Sequence, residues 1–191
     1  MHKVVFDIET KNGFGDRGSA NPQKLEISLL VVYEYDTDTF HSFMEPEFPK
    51  LWKLLEKTDL MIGFNSDYFD IPVLNRYYPG DLTKIKSLDL LSAVYKSLGR
   101  RVSLDMLAAG TLGIHKSGKG LDAITWWKNG EIEKLRQYCT DDVRITRDIY
   151  EYALRHKALK YKLGPDVHTV PIDTTGWDEK VTASLNYTLP F

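Results

Sequence analysis

The stretch that most limits what this chain can become is Lys3-Val-Val-Phe-Asp-Ile-Glu-Thr-Lys11, an apolar run that stops on two carboxylates one residue apart. Its β-branched and aromatic content predicts a strand over residues 2–8. Successive side chains of a strand face opposite ways, so Asp7 and Glu9 share one face at its end while Phe6 and Ile8 turn into the protein. Two acids held this close repel one another unless a proton or a cation neutralises them, and an oxygen-ligated divalent metal is the usual solution. A solvated strand end is the simpler explanation of an Asp-x-Glu triplet. The triplet therefore gains meaning only from acids elsewhere in the chain.

A chain of 191 residues has the length of one domain with a full core. Leu25 to Tyr35 reads as a second strand, apolar enough to be interior, and Asp38 to Phe43 as a third reached through an Asp36-Thr37 turn, which makes an antiparallel meander. The Gly-, Asn-, Asp- and Ser-rich stretch 11–23 is a loop directly after the acidic strand end, where loops often line a site. A helix from about Pro49 to Lys57 faces Leu51, Trp52, Leu54 and Leu55 inward, and Leu60 to Phe64 is a short buried strand. Strand, helix, strand implies a parallel crossover with helices on the sheet. The longest aliphatic stretch, Ile27 to Val32, is too short to span a bilayer, and the N-terminus lacks a signal-peptide pattern. The expectation is a cytoplasmic protein with no membrane partner and an oligomeric state the sequence leaves open. One cysteine, Cys139, excludes an internal disulfide and a cysteine-based zinc site.

A second motif runs from Gly63 to Leu74 as Gly-Phe-Asn-Ser-Asp-Tyr-Phe-Asp-Ile-Pro-Val-Leu. Pro72 belongs in the first turn of a helix, which places the helix start beside Asp70 at the carboxyl end of the fourth strand. Asp70 could equally be an N-cap, and Asn65 a turn residue. A third motif lies on the longest helical pattern, about Glu131 to His156, whose inward stripe includes Leu135, Tyr138, Val143, Ile145, Ile149 and Ala153. Tyr138 and Asp142 are four apart and share a face near that stripe, while Asp141 and Asp148 read as surface charges. Tyr138 alone would pass as a core tyrosine with its hydroxyl at the rim.

Taken in order and spacing, Phe-Asp7-Ile-Glu9-Thr, the second motif and Tyr138-Cys-Thr-Asp-Asp142 resemble the three exonuclease motifs of the DEDDy 3′–5′ exonucleases, a branch of the ribonuclease H-like superfamily. The second motif, together with Ser103-Leu104-Asp105 and Leu112-Gly113 before the lysines, is most similar to the proofreading exonuclease domain of family B DNA polymerases. The likeness covers roughly residues 2–156. It implies an α/β, ribonuclease H-like fold with a mixed five-stranded sheet, the first strand central and helices flanking it. It also implies that Asp7, Glu9, Asp70 and Asp142 hold two divalent cations, Mg2+ or Mn2+, and that Tyr138 positions the attacking water. Asp142 rather than Asp141 has the four-residue separation from Tyr138 that the family uses. Hydrolysis of a phosphodiester needs a hydroxide at neutral pH and a stabilised leaving oxygen, which two metals supply. A tyrosine with an ordinary pKa of about 10 orients a water better than it takes its proton.

An acidic site must still attract a polyanion. Residues 84–119 carry Lys84, Lys86, Lys96, Arg100, Arg101, Lys116 and Lys119 against Asp89 and Asp105, a balance of 7 − 2 = +5 in a chain of net charge −2. This segment could track a nucleic-acid backbone or be a solvated surface; Arg100, Arg101, Lys116 and Lys119 from it, with Asn65 of the second motif, are the candidate substrate-binding residues. Gly113 to Lys119 mimics a phosphate-binding P-loop, but Gly120 replaces the required Ser or Thr and the preceding segment looks helical where a strand is needed. The resemblance implies a ribonuclease H-like exonuclease domain over 1–163 followed by a tail over 164–191, in which Val167, Val170 and Ile172 could add an edge strand and Trp177, Tyr187, Leu189 and Phe191 could pack back or meet a partner. The expected activity is a 3′–5′ exonuclease releasing nucleoside monophosphates from nucleic acid, with single-stranded DNA or 3′ ends favoured and RNA possible. An endonuclease or resolvase on the same fold, and a silent nucleic-acid-binding module, are the alternatives.

Overall fold

The computed structural model describes residues 1–14, 21–118 and 120–179. Its spine is β1, Lys3–Thr10, flanked by β2, Ile27–Glu34, which runs antiparallel to it. β3, Thr39–Phe43, continues the meander on the outer side of β2. On the other side of β1 lie β4, Leu60–Gly63, and then β5, Lys86–Asp89, both parallel to it. The order β3-β2-β1-β4-β5 is a mixed sheet of five strands with β1 in the middle. The α/β expectation of a ribonuclease H-like sheet with a central first strand therefore stands.

Both faces of the sheet are buried, as a parallel crossover demands. Val4, Phe6, Ile8, Leu30, Val32 and Met61 face one layer, filled by α1, Phe48–Leu55, and the short α2, Asp70–Leu74. Val5, Leu29, Val31, Tyr33, Leu60 and Ile62 face the other, filled chiefly by α3, Leu90–Leu98, and α6, Ile132–His156. Between those two helices the chain adds α4, Leu104–Leu107, a π-helical turn over Ala108–Leu112, and α5, Gly120–Lys128. Ile62 and Met61 are both 0% exposed; truncating either to alanine should cost roughly 2–5 kcal/mol. The helical run before Gly113 is the wrong frame for a P-loop, in agreement with the sequence argument.

After α6 the chain turns at Lys157 into a hairpin of its own, β6, Ala158–Leu163, paired with β7, Asp166–Pro171. The expected edge strand is β7, but it joins this second sheet instead of the main one. Its partner is the segment immediately before it in sequence, and Gly164 at φ +59° supplies the left-handed turn between them. The boundary set at 163/164 thus falls inside a hairpin. Val170, Ile172 and Trp177 are buried in the α6 layer, with Trp177 stacked on Tyr150 at 5.8 Å. Tyr187, Leu189 and Phe191 lie outside the described residues. No helix among the described residues is long and apolar enough to cross a membrane.

Candidate active site

Register decides where the acids go. Asp7 lies opposite Val31 and Glu9 opposite Leu29, two residues of the α6 layer, so both carboxylates emerge on the α6 face, and the pairing slips by one residue between Glu9 and Thr10. Glu9 is 8% exposed. On its parallel side β1 outruns β4, the last pair being Val5 with Ile62. The Ile8 N–H is there taken by a side chain: it donates to Asp70 Oδ1 at 3.0 Å. Asp70, 3% exposed, is the first residue of α2 rather than its cap, since Phe69 occupies the cap position and makes no capping bond. One oxygen of its carboxylate is thus taken by the end of β1, 62 residues away in sequence.

Opposite these acids, α6 presents Tyr138, 2% exposed, and Asp142, 4% exposed, one turn apart. Asp141 points elsewhere, to Arg144 and Gln137, as its surface reading requires. Cys139 lies between the two layers with its Sγ 3.5 Å from both the carbonyl oxygen and Oδ2 of Asp7. Lys116 places Nζ 2.6 Å from Asp142 Oδ2 and 5.0 Å from the centre of the Tyr138 ring. Trp126 of α5 meets the same ring edge-on at 5.5 Å. A Cβ at Gly118 would stand 2.9 Å from the Trp126 indole and 3.4 Å from Tyr138, so that position needs glycine for close approach. The glycine that imitates a P-loop is in fact a packing residue for the tyrosine.

Four carboxylates here meet one ammonium among the described residues. Burial, then repulsion from Asp142, lifts Asp7 to about 7, against the pull of Lys116 and the Cys139 thiol. Burial first and the neighbouring acids second raise Glu9 and Asp70 well above the carboxylate range, although the Ile8 N–H works against this at Asp70. Burial also raises Asp142, with Lys116 opposing it. Burial disfavours the Lys116 charge, but Asp142 and the Tyr138 hydroxyl outweigh it and push its pKa up. The Tyr138 hydroxyl is raised by burial and then by Asp142, and stays a neutral donor at any physiological pH. Asp142 Oδ1 is buried without a hydrogen-bond partner among the described residues, although buried polar atoms are nearly always satisfied. An orphan carboxylate oxygen in a cluster of hard oxygen donors fits a divalent cation.

Asp7, Glu9, Tyr138, Asp142 and Lys116 line one open cavity of 580 Å3, whose rim carries Phe14, Phe69, Asn65 and Arg101. Asp70 stands behind Asp7 rather than on the wall, close enough for the two charges to interact. Phe14, from the loop after β1, packs edge-on to Phe69 at 5.8 Å. Asn65 holds a left-handed backbone, φ +63°, which asparagine tolerates; its side-chain oxygen accepts from Arg101 Nη2 at 2.6 Å. Arg100 instead lies 4.9 Å over the Tyr161 ring of β6, and Lys119 lies outside the described residues.

Sequence reasoning passed over Asp89, counted only as a charge. It caps α3 through Leu91 N at 2.9 Å and also accepts from the N–H of Asn65 at 2.8 Å and of Asp67 at 3.3 Å, so one carboxylate fixes the whole Asn65 turn. An aspartate just before an apolar helical run is a recognisable cap signal; its second duty is long-range and leaves no local trace. Trp126 carries no local sign of its contact either.

A family model described as the RNase H superfamily matches residues 4–154. No curated protein matches the chain in sequence. Among solved structures, the family B DNA polymerase from the hyperthermophilic archaeon Pyrobaculum calidifontis is similar with a TM-score of 0.61 and 20% identity, over 81% of this chain and 24% of the polymerase. A structure of exonuclease I is similar with a TM-score of 0.56 and 14% identity, over 81% of this chain and 41% of that one. The chain spans less than half the length of either, and at such identities the likeness is one of fold.

Proposed function

The chain belongs to the RNase H superfamily, and on that premise we propose that it is a metal-dependent 3′–5′ exonuclease of the DEDDy type that releases nucleoside monophosphates. The observation that carries this reading is the buried, under-neutralised set of acids in which Asp7, Glu9 and Asp142 line one cavity with Asp70 behind Asp7, Asp142 Oδ1 is left without a partner among the described residues, and Tyr138 stands one helical turn from Asp142. One of the similar folds is that of exonuclease I, which agrees with it. Asp7, Glu9, Asp70 and Asp142 would hold two divalent cations, Mg2+ or Mn2+. Bound there, such ions supply hydroxide at neutral pH and stabilise the leaving oxygen.

The protein's own part is positioning. Asp70 ties the end of β1 to the start of α2 through the Ile8 N–H, so Asp7 and Glu9 keep their spacing as charge enters and leaves. Tyr138, neutral and wedged between Trp126 and Gly118, offers a fixed hydroxyl to a water; as a proton acceptor it has no capacity. Lys116 neutralises Asp142 and must give up that contact for cations to take all four acids. Arg101 and Asn65 at the rim would then meet the phosphate and sugar of the terminal nucleotides. Phe14 and Phe69 offer apolar faces beside the acids, suited to an unpaired base.

The test is product analysis on 5′-labelled single- and double-stranded DNA and RNA with Mn2+ or Mg2+. The expected result is stepwise shortening from the 3′ end with mononucleotide release, halted by a blocked 3′ terminus. Cuts within a blocked substrate would favour an endonuclease instead. Binding without any cleavage would reduce the protein to a nucleic-acid-binding module.

A further inference from the structure

A second groove of 480 Å3 opens beside the acidic cavity and shares Asn65, Leu91 and Arg101 with it as a common wall. Two rings line it, Tyr68 at 59% exposure and Tyr95 at 52%, and neither stacks on another ring among the described residues. Tyr95 and Lys96 come from the outer face of α3, while Tyr68 comes from the turn that Asp89 fixes. The acids in the groove are used internally: Asp89 binds backbone N–H groups, and Asp67 Oδ1 accepts from Ser87 Oγ at 2.6 Å. The cations stay at the surface: Lys96 and Arg101 are exposed and form no salt bridge among the described residues. Lys96 is near enough to Asp173 only to help Thr175 lower its carboxyl, and Arg101 donates to the Asn65 amide.

Exposed rings next to exposed cations outside any salt bridge among the described residues, continuous with a cavity suited to a phosphodiester, suit a single nucleic-acid strand better than a protein partner. Bases stack on rings of any sequence context, and phosphates need cations spaced along the path. We propose that this groove is a stacking subsite for the unpaired strand on the 5′ side of the cleaved bond, with Tyr68 and Tyr95 taking bases and Arg101 and Lys96 taking phosphates. The proposal rests on the exonuclease reading for its direction, since a strand that places its 3′ end at the acids and crosses the shared wall enters this groove with its 5′ side. It assigns recognition to residues outside the three acidic motifs.

The test is fluorescence anisotropy of the full chain with Mn2+ and labelled phosphorothioate-linked oligothymidylates of two to eight nucleotides, alongside hydrolysis of the ordinary oligonucleotides. Wild-type affinity should climb with length as the groove fills. Tyr68→Ala with Tyr95→Ala should flatten that climb, with about a 10-fold loss per ring at the longer lengths, and phenylalanine at both positions should restore it. Because both rings are exposed, the melting temperature serves as a check that the variants fold. A climb indifferent to the two rings, or no binding by the wild type, overturns the groove even if hydrolysis proceeds from the 3′ end. A climb that depends on the rings without any hydrolysis upholds the groove and overturns the exonuclease reading alone.

Discussion

The two ends of β1 face the same helix and treat charge in opposite ways. At the start, Lys3 lies 3.1 Å from Asp178 and 3.3 Å from the Tyr150 hydroxyl, with its ammonium 4.8 Å from the Tyr35 ring centre. One charge meets one charge, and two aromatic faces share the rest. At the other end Asp7 and Glu9 meet two further acids and, among the described residues, the single ammonium of Lys116. α6 serves both, with Tyr150 at the first and Tyr138 at the second. The imbalance at the acidic end is what the proposed cations and substrate would complete.

The widest break in that comparison is expected at the acids themselves. Asp7→Asn and Asp142→Asn should each lower the nuclease rate by roughly 10³-fold or more, while the metal-free melting temperature holds or rises as repulsion is relieved. Mn2+ should raise the melting temperature of the wild type by mass action and lose that effect in the double variant. Retained activity in either single variant, in an assay with Mn2+, would return the acid to a structural role.

Tyr138→Phe keeps the ring against Trp126 and removes only the hydroxyl, so turnover at saturating substrate should fall by roughly 10- to 100-fold with Mn2+ affinity steady. Single-turnover kinetics beside a Mn2+ titration separates the two. A loss of metal affinity equal to the loss of rate would place the hydroxyl among the metal-holding groups rather than on the water.

The sign of the pH dependence follows from the raised acids. Asp7 binds its proton up to about pH 7 in the folded chain but only to its ordinary value of 3.8 when unfolded. The stability linked to that proton is full below about pH 4 and is lost as the pH rises toward 7, with a slope approaching about 1.4 kcal/mol per pH unit for one group. The upward directions at Glu9, Asp70 and Asp142 add to it. Urea titrations of the metal-free protein between pH 4 and 8 should show this decline, and Mn2+ should level it. Lys116→Met removes the ammonium paired with Asp142, so it should deepen the decline and, by ending competition at Asp142, tighten Mn2+ binding by a few-fold, as seen by calorimetry. Weaker Mn2+ binding would mean that Lys116 holds Asp142 in place for the ion.

How much of this contrast the sequence carried depends on the distance each contact spans. The sheet was legible because its signals are local: the alternation in β1, the apolar run of β2 and the 3.6-residue stripe on α6. Tyr138 and Asp142 followed from spacing on one helix, and the order of the motifs picked out Asp7, Glu9 and Asp70 as candidates. The bond from Asp70 to the Ile8 N–H was invisible, because it depends on β4 ending before β1 does, which only the three-dimensional register decides. The same is true of Lys116. A run of lysines announces charge, but nothing in it says which ammonium turns inward onto Asp142 and which, like Lys96, stays on the surface. The balanced end of β1 left no trace at all, since Lys3 and Asp178 are 175 residues apart.

The smallest effect is expected at that balanced end, and it serves as the control. Lys3→Met keeps most of the side-chain stem against Tyr35 and Tyr150 but removes the ammonium, leaving Asp178 its bond from the Tyr150 hydroxyl. Asp178 is 46% exposed, so water screens the ion pair and its share is small, while the cation over the rings contributes a similar amount. The stability cost should be on the order of 1 kcal/mol, read from urea titrations, and pairing it with Asp178→Asn should give a coupling below that. Mn2+ affinity and nuclease rate should not move, because β1 is held by β4 from Lys3 to Val5 and by β2 from Val4 through Asp7. If removing this ammonium shifted Mn2+ affinity as much as removing Lys116 does, the two ends of the strand would be one electrostatic system, and the contrast between a closed end and an open one would fail.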